Sequence, residues 1–173
     1  FLAGRAQDGG IFARGEGAWT GYDGPGTTRI YWASTSGGDI GYGQIWEYTP
    51  DPVGRDGVLR LVFESRNPQV LASPDNITVH PQTGVVVLCE DGGFMSRQRL
   101  SGVTPDGRLF QFAEQTTSEF AGACFSPDGR WLFVNIQGDA TTYAITGPWE
   151  RGALSNVPPA AAVRAPVLPC GAV

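Results

Sequence analysis

The chain contains no lysine: all 12 basic residues are arginine, set against 17 acidic residues for a net charge of −5. A nucleic-acid binder carries a basic footprint, so this balance argues against that class. There is one histidine, His80, which excludes a histidine-cluster metal site within these residues. Three cysteines, Cys89, Cys124 and Cys170, show no CxxC spacing. That excludes a zinc ribbon and a dense disulfide framework. No apolar run approaches the ~18 residues of a membrane span. Long helical periods are absent, and the Phe1-Leu2-Ala3 start shows neither an initiator methionine nor a signal-peptide pattern.

What is present is turn chemistry. Gly 25 and Pro 13 make up about 22% of the 173 residues, well above the usual ~12%, and without a collagen period. Hydrophobic residues at 41% against 17% charged describe a chain with a real core. Three short runs rich in β-formers stand out: Ile30 to Ser34, Val85 to Cys89, and Trp131 to Val134. Each follows another short strand and a glycine turn. The first set is Gly17-Ala18-Trp19 with Gly24-Pro25-Gly26, the second Ile77-Thr78-Val79 with Gln82-Thr83-Gly84, the third Ala123-Cys124-Phe125 with Pro127-Asp128-Gly129. Glycine accepts positive φ and proline presets the first turn dihedral, so these are hairpin turns.

A weaker pair of strands follows each strong one. Gln44 to Tyr48 and Val58 to Phe63 complete the first unit, and Arg99 to Val103 and Arg108 to Phe112 complete the second. Thr141 to Ile145 continues the third, whose fourth strand is not visible. Four strands per unit of roughly 45–55 residues is the period of a β-propeller blade. The expected fold is all-β, a partial β-propeller of about three four-stranded blades, with a solenoid or sandwich as the alternative. Three blades cannot close a ring. The expectation is therefore a piece of a longer chain: residues 1–149 as the C-terminal half of a propeller, and 150–173 as a mobile Pro/Ala-rich tail.

In a propeller, the start of strand one and the end of strand two of every blade share one face near the central channel. Strand-one entries hold Arg14 and Glu16, Asp75 and Asn76, and Glu119; strand-two exits hold Asp39, Glu90 with Asp91, and Asn135 with Asp139. A ring of carboxylate and amide oxygens suits a hard cation such as Ca²⁺, and by hardness also Fe³⁺. Each residue has a plainer role available: Asp75-Asn76 as a turn cap, Glu16 and Glu119 as exposed loop acids, Glu90-Asp91 as an acidic turn, Arg14 and Glu16 as a surface ion pair. The recurrence of acids at one blade position favours a shared site. Arg14 also has the planar fork that suits an oxyanion such as phosphate. His80, in the turn before strand two, belongs to the opposite face and a structural or solvent role. Asp106 and Asp128 belong to Pro-Asp-Gly turns. Cys89 and Cys124 read as small buried hydrophobes, and Trp19, Trp32, Trp46 and Trp131 as packing between blades.

The ordered set Arg14-Gly15-Glu16-Gly17-Ala18-Trp19, Thr35 to Asp39, Leu61 to Ser65, Ser73-Pro74-Asp75-Asn76, Leu88 to Gly92, Ser118 to Gly122 and Phe133 to Gln137 resembles the C-terminal part of the PhoX family of bacterial alkaline phosphatases, over roughly residues 10 to 149. The resemblance implies a six-bladed propeller with calcium and ferric ions in its channel. It implies hydrolysis of small phosphate monoesters, and periplasmic or secreted localisation through the twin-arginine route. It makes Glu16 a cluster ligand and Arg14 the phosphate contact and catalytic cation. Asp75, Asn76, Glu90, Asp91 and Glu119 become metal ligands or their supports. The family's other ligands, an iron-binding cysteine among them, belong to the N-terminal half, which this chain would need as its partner. The tail after Trp149 departs from the family pattern. Two alternatives remain open: a calcium-dependent lactonase or organophosphatase-like propeller, and a non-catalytic propeller binding module.

Overall fold

The structure, a computed structural model, describes residues 2–22, 27–54, 56–92, 97–147 and 149. The expected turn at Gly24-Pro25-Gly26 and the expected tail at 150–173 lie outside these residues. Among these residues a short helix α1 (Leu2–Arg5), which the sequence reading did not anticipate, precedes eleven strands. The first sheet runs in the order β1 (Gly15–Tyr22), β2 (Thr28–Ser34), β3 (Gln44–Pro50), β4 (Gly57–Glu64). The second runs β5 (Pro74–Val79), β6 (Val86–Glu90), β7 (Gln98–Val103), β8 (Leu109–Gln115). The third holds β9 (Phe120–Phe125), β10 (Leu132–Ile136) and β11 (Thr141–Ile145), with β10 in the middle. Every pairing is antiparallel between sequence neighbours. The first strands β1, β5 and β9 lie beside one another, which makes the chain an all-β partial propeller with those strands innermost.

The packing explains the strand sequences. Residues of β6 alternate between neighbours: Val86 and Leu88 join the core shared with Tyr31, Ala33 and Ile45 of blade one. Val87 and Cys89 join the core shared with Phe125, Leu132 and Val134 of blade three. A strand covered on both faces has no polar side to present, hence the unbroken apolar run Val85 to Cys89. Burying each such Val or Leu fully contributes roughly 1.5–3 kcal/mol. Of the tryptophans, Trp19 does pack between blades one and two. Trp32 and Trp46 lie on the other face of blade one. They stack there at 6.5 Å, with Phe12 edge-on to both, because their neighbours Tyr31, Ala33 and Ile45 take the core side. Trp131 is exposed on blade three.

The far ends of the blades are tied together by polar contacts. His80 is buried, donates from Nε2 to Gly129 O and accepts from the Gln82 and Thr83 amides at Nδ1. It thereby joins blades two and three away from the strand entries, the structural one of the two roles expected of it. Burial holds its imidazole below the usual histidine range. Arg60 grips the buried Glu47 with two nitrogens at 3.1 and 2.8 Å and reaches Pro105 O of blade two at 3.0 Å. Asp106 and Asp128 accept hydroxyl hydrogen bonds from Thr104 and Ser126 within their turns, as their Pro-Asp-Gly setting requires.

Candidate functional site

One irregularity recurs in all three first strands. In β1, three steps from Gly15 to Ala18 face two steps from Ser34 to Trp32. In β5, Pro74 to Ile77 faces Glu90 to Leu88. In β9, Ala121 to Cys124 faces Asn135 to Phe133. Each is a one-residue bulge at the same blade position, and a bulge breaks the strict alternation of side chains and re-aims them. Glu16, Asp75 and Asn76 sit in these bulges. The bulges also stack. A Cβ on Gly17 would lie 2.5 Å from Asp75 O, so only glycine lets β1 meet the β5 bulge. Asn76 Oδ1 accepts the Ala123 amide of the β9 bulge at 2.8 Å.

A second recurrence fixes the loops. The residue before each first strand accepts a backbone bond from the residue just beyond each second strand: Thr35 N to Arg14 O at 2.9 Å, Asp91 N to Ser73 O at 2.9 Å, and Gln137 N to Glu119 O at 3.1 Å. Arg14 and Ser73, equivalent by this rule, both sit in the left-handed region at φ 51° and 50°. Non-glycine residues held there carry backbone strain that surrounding structure must over-determine.

These devices gather five charged side chains from three blades. Arg14 Nη2 lies 3.4 Å from both Glu16 Oε1 and Asp91 Oδ2, and all three side chains are a third to a half exposed. Burial raises the Asp75 carboxyl, and the charges of Glu16 and Asp91 raise it further, against the opposing pull of Arg14. Burial likewise raises Glu119, assisted by a hydrogen bond with Asp91 and by the charges of Asp91 and Asp75. Four carboxyl groups stand with a single guanidinium, which reaches two of them, Glu16 and Asp91, so acid outnumbers base in the cluster. In donor type and charge this set fits a hard cation. Among the described residues, however, no three His, Cys, Asp or Glu side chains form a group able to hold a metal ion by themselves.

The other residues singled out in the sequence fall elsewhere. Asn76 stands beside the cluster but commits its Oδ1 to Ala123. Glu90 turns away from Asp91 and is 1% exposed. Its carboxylate accepts the Ala72 and Arg99 amides and lies 3.1 Å from Arg99 Nε. Burial pushes the Glu90 carboxyl up to about 7 in spite of these partners. Asp39 is exposed and 3.7 Å from Arg66. Asn135 accepts from Thr142 Oγ1, and Asp139 is exposed, its carbonyl accepting from Thr141 Oγ1. Burial raises the Cys89 thiol to about 12, which leaves it inert. Sequence reading missed Gly17 and Thr35, whose parts depend on contacts from a neighbouring blade.

Among the described residues no helix is long and apolar enough to cross a membrane. The family described as alkaline phosphatase PhoX matches residues 2–139 of the chain. No curated protein and no solved structure matches it.

Proposed function

From the premise that this chain belongs to the PhoX alkaline phosphatase family, we propose that it supplies the C-terminal half of a calcium- and iron-dependent phosphomonoester hydrolase. The observation that carries this reading is the convergence of Arg14 with Glu16, Asp75, Asp91 and Glu119 at one end of three adjacent blades. Family membership supports phosphate esters as substrates and metal ions as cofactors, and it favours an extracytoplasmic setting. The finer assignments are our own: Ca²⁺ and Fe³⁺ as the ions, six blades, periplasmic export by the twin-arginine route, and a preceding propeller half that completes the ligand set. Residues 1–149 would form the propeller portion, with 150–173 as an appendage.

In this proposal Glu16, Asp75, Asp91 and Glu119 hold the ions, with Asn76 bracing the site at its margin. Glu90 serves from behind, fixing the end of β6 that leads into Asp91. When bound, hard cations would polarise the phosphoryl oxygens and neutralise charge on the reacting group. Arg14 has a separate task. Its contacts with Glu16 and Asp91 are long and solvent-exposed, so the guanidinium can exchange them for a phosphate at little cost. A planar donor fork then binds two phosphate oxygens and stabilises charge as it builds there. Burial and neighbouring carboxylates raise Asp75 and Glu119 above ordinary carboxyls, and a bound cation would favour their ionised forms.

Glu16→Gln keeps the shape of the side chain and removes its charge. We expect it to abolish most p-nitrophenyl phosphate turnover in protein supplied with calcium and iron, and to lower the bound metal in parallel. Unchanged turnover and metal content would remove Glu16 from the site. Calcium binding without iron or phosphatase turnover would favour the lactonase-type propeller.

A further inference from the structure

We infer that Thr35 is a positioning residue that fixes Arg14 and Asp75 relative to each other across the junction of blades one and two. This rests on the proposal that Arg14 contacts phosphate. Thr35 is fully buried. Its amide holds Arg14 O at 2.9 Å, and its hydroxyl donates to Pro74 O at 2.8 Å. The first bond pins the carbonyl of a residue in the left-handed region; the second pins the carbonyl immediately before Asp75. One side chain thus ties together the two loops that present the cation and a carboxylate.

The repeat shows that this is more than generic loop closure. The equivalent positions in blades two and three, Asp91 and Gln137, make the same amide bond. Only Thr35 adds a buried hydroxyl bond to the next blade at this position. The flanking strap is anchored independently. Ser34 Oγ donates to Ala13 O at 2.8 Å, and Phe12 packs edge-on against Trp32 and Trp46. The chain around Arg14 is therefore held on both sides, and the hydroxyl of Thr35 sets its distance from blade two. Without that hydroxyl the Pro74 carbonyl is buried without its partner, and the two loops are free to shift. Small misplacements of a positioned group cost large factors in binding and rate.

The test is calorimetric titration of inorganic phosphate into the calcium-loaded protein that includes the preceding propeller half, with the thermal midpoint of each variant measured alongside. Thr35→Val is nearly isosteric and lacks the hydroxyl; we expect it to weaken phosphate binding on the order of 10-fold. Thr35→Ser should restore affinity to near the wild-type value. Thr35→Cys, a weak donor of similar size, should fall between, and serves if the valine variant is too unstable to assay. Thr104→Val removes a comparable buried hydroxyl at the far end of blade two. It should lower the midpoint and leave phosphate affinity unchanged. If Arg14→Ala weakens binding while Thr35→Val binds as wild type, or if Thr104→Val weakens it equally, the positioning role is wrong. If Arg14→Ala binds phosphate as wild type does, the reading of Arg14 fails, and the inference with it.

Discussion

Gly17→Ala should destabilise the protein by about 3 kcal/mol and dismantle the carboxylate cluster, a large effect for one methyl group. The added Cβ would lie 2.5 Å from Asp75 O, 2.8 Å from Ile77 N and 2.9 Å from Asn76 Cα. All three are backbone atoms of the neighbouring bulge, so no flexible side chain can yield. Blade one must move away from blade two, and Asp75 moves with the bulge that carries it. Gly15, two residues earlier, provides the control. A Cβ there meets nothing within 4 Å, and its φ is not among the left-handed ones. Gly15→Ala should therefore be neutral or slightly stabilising, since alanine restricts the unfolded chain. Urea midpoints of the two variants measure the contrast, and equal midpoints would mean that the blades do not meet at Gly17.

Arg99→Met should cost a further distinct amount, about 3–5 kcal/mol near neutral pH, the range for breaking one side of a buried ion pair. Arg99 is buried beside Glu90, and its Nη1 and Nη2 donate to the carbonyls of Gln69 and Pro68 in the segment that joins blade one to blade two. Its Nε lies 3.1 Å from Glu90 Oε2 but lacks hydrogen-bond alignment, so that contact is chiefly electrostatic. Removing the side chain strands a buried carboxylate and two carbonyls together. The pH dependence has a definite sign. The folded carboxyl of Glu90 sits at about 7, above its ordinary value of 4.5. Folded protein therefore binds this proton more tightly than unfolded protein does. The stabilisation from this group is fully present below the unfolded value and is lost as pH rises through about 7. Without Arg99 the carboxyl rises further, so Arg99→Met should recover stability on acidification. The double variant Glu90→Gln/Arg99→Met should recover part of it at neutral pH. Denaturation curves at pH 5.5 and 8 read both effects, and a pH-independent loss would contradict the buried carboxylate.

These two residues also mark where sequence reading succeeds and fails. The blades were legible because their signals are local. Val85 to Cys89 declares a strand covered on both faces, and Pro-Asp-Gly at 105–107 and 127–129 declares tight turns. The convergence of Arg14, Glu16, Asp75, Asp91 and Glu119 was legible from blade geometry, because entries and exits of successive blades share a face. Glu90 was grouped with Asp91 by adjacency. Neighbours in an extended chain point to opposite sides, and only Asp91 reaches the cluster. Asn76 was read as a ligand or a support from its blade position and the family resemblance, and its amide oxygen serves the next blade. The bulges were invisible, because an extra residue shows only against the partner strand's register. Thr35 and Gly17 were invisible for a related reason: what each touches lies tens of residues away.

The central claim is that the channel-end carboxylates form part of a cation site, and calcium titration at pH 5 of the protein that includes the preceding propeller half, with simultaneous measurement of proton release, tests it most directly. Asp75 and Glu119 hold their protons more tightly than ordinary carboxyls, and a cation must displace them. The account predicts saturable calcium binding accompanied by proton release, both abolished in the double variant Asp75→Asn/Glu119→Gln. Calcium binding that is absent, or that persists with the same proton release in that variant, would contradict it.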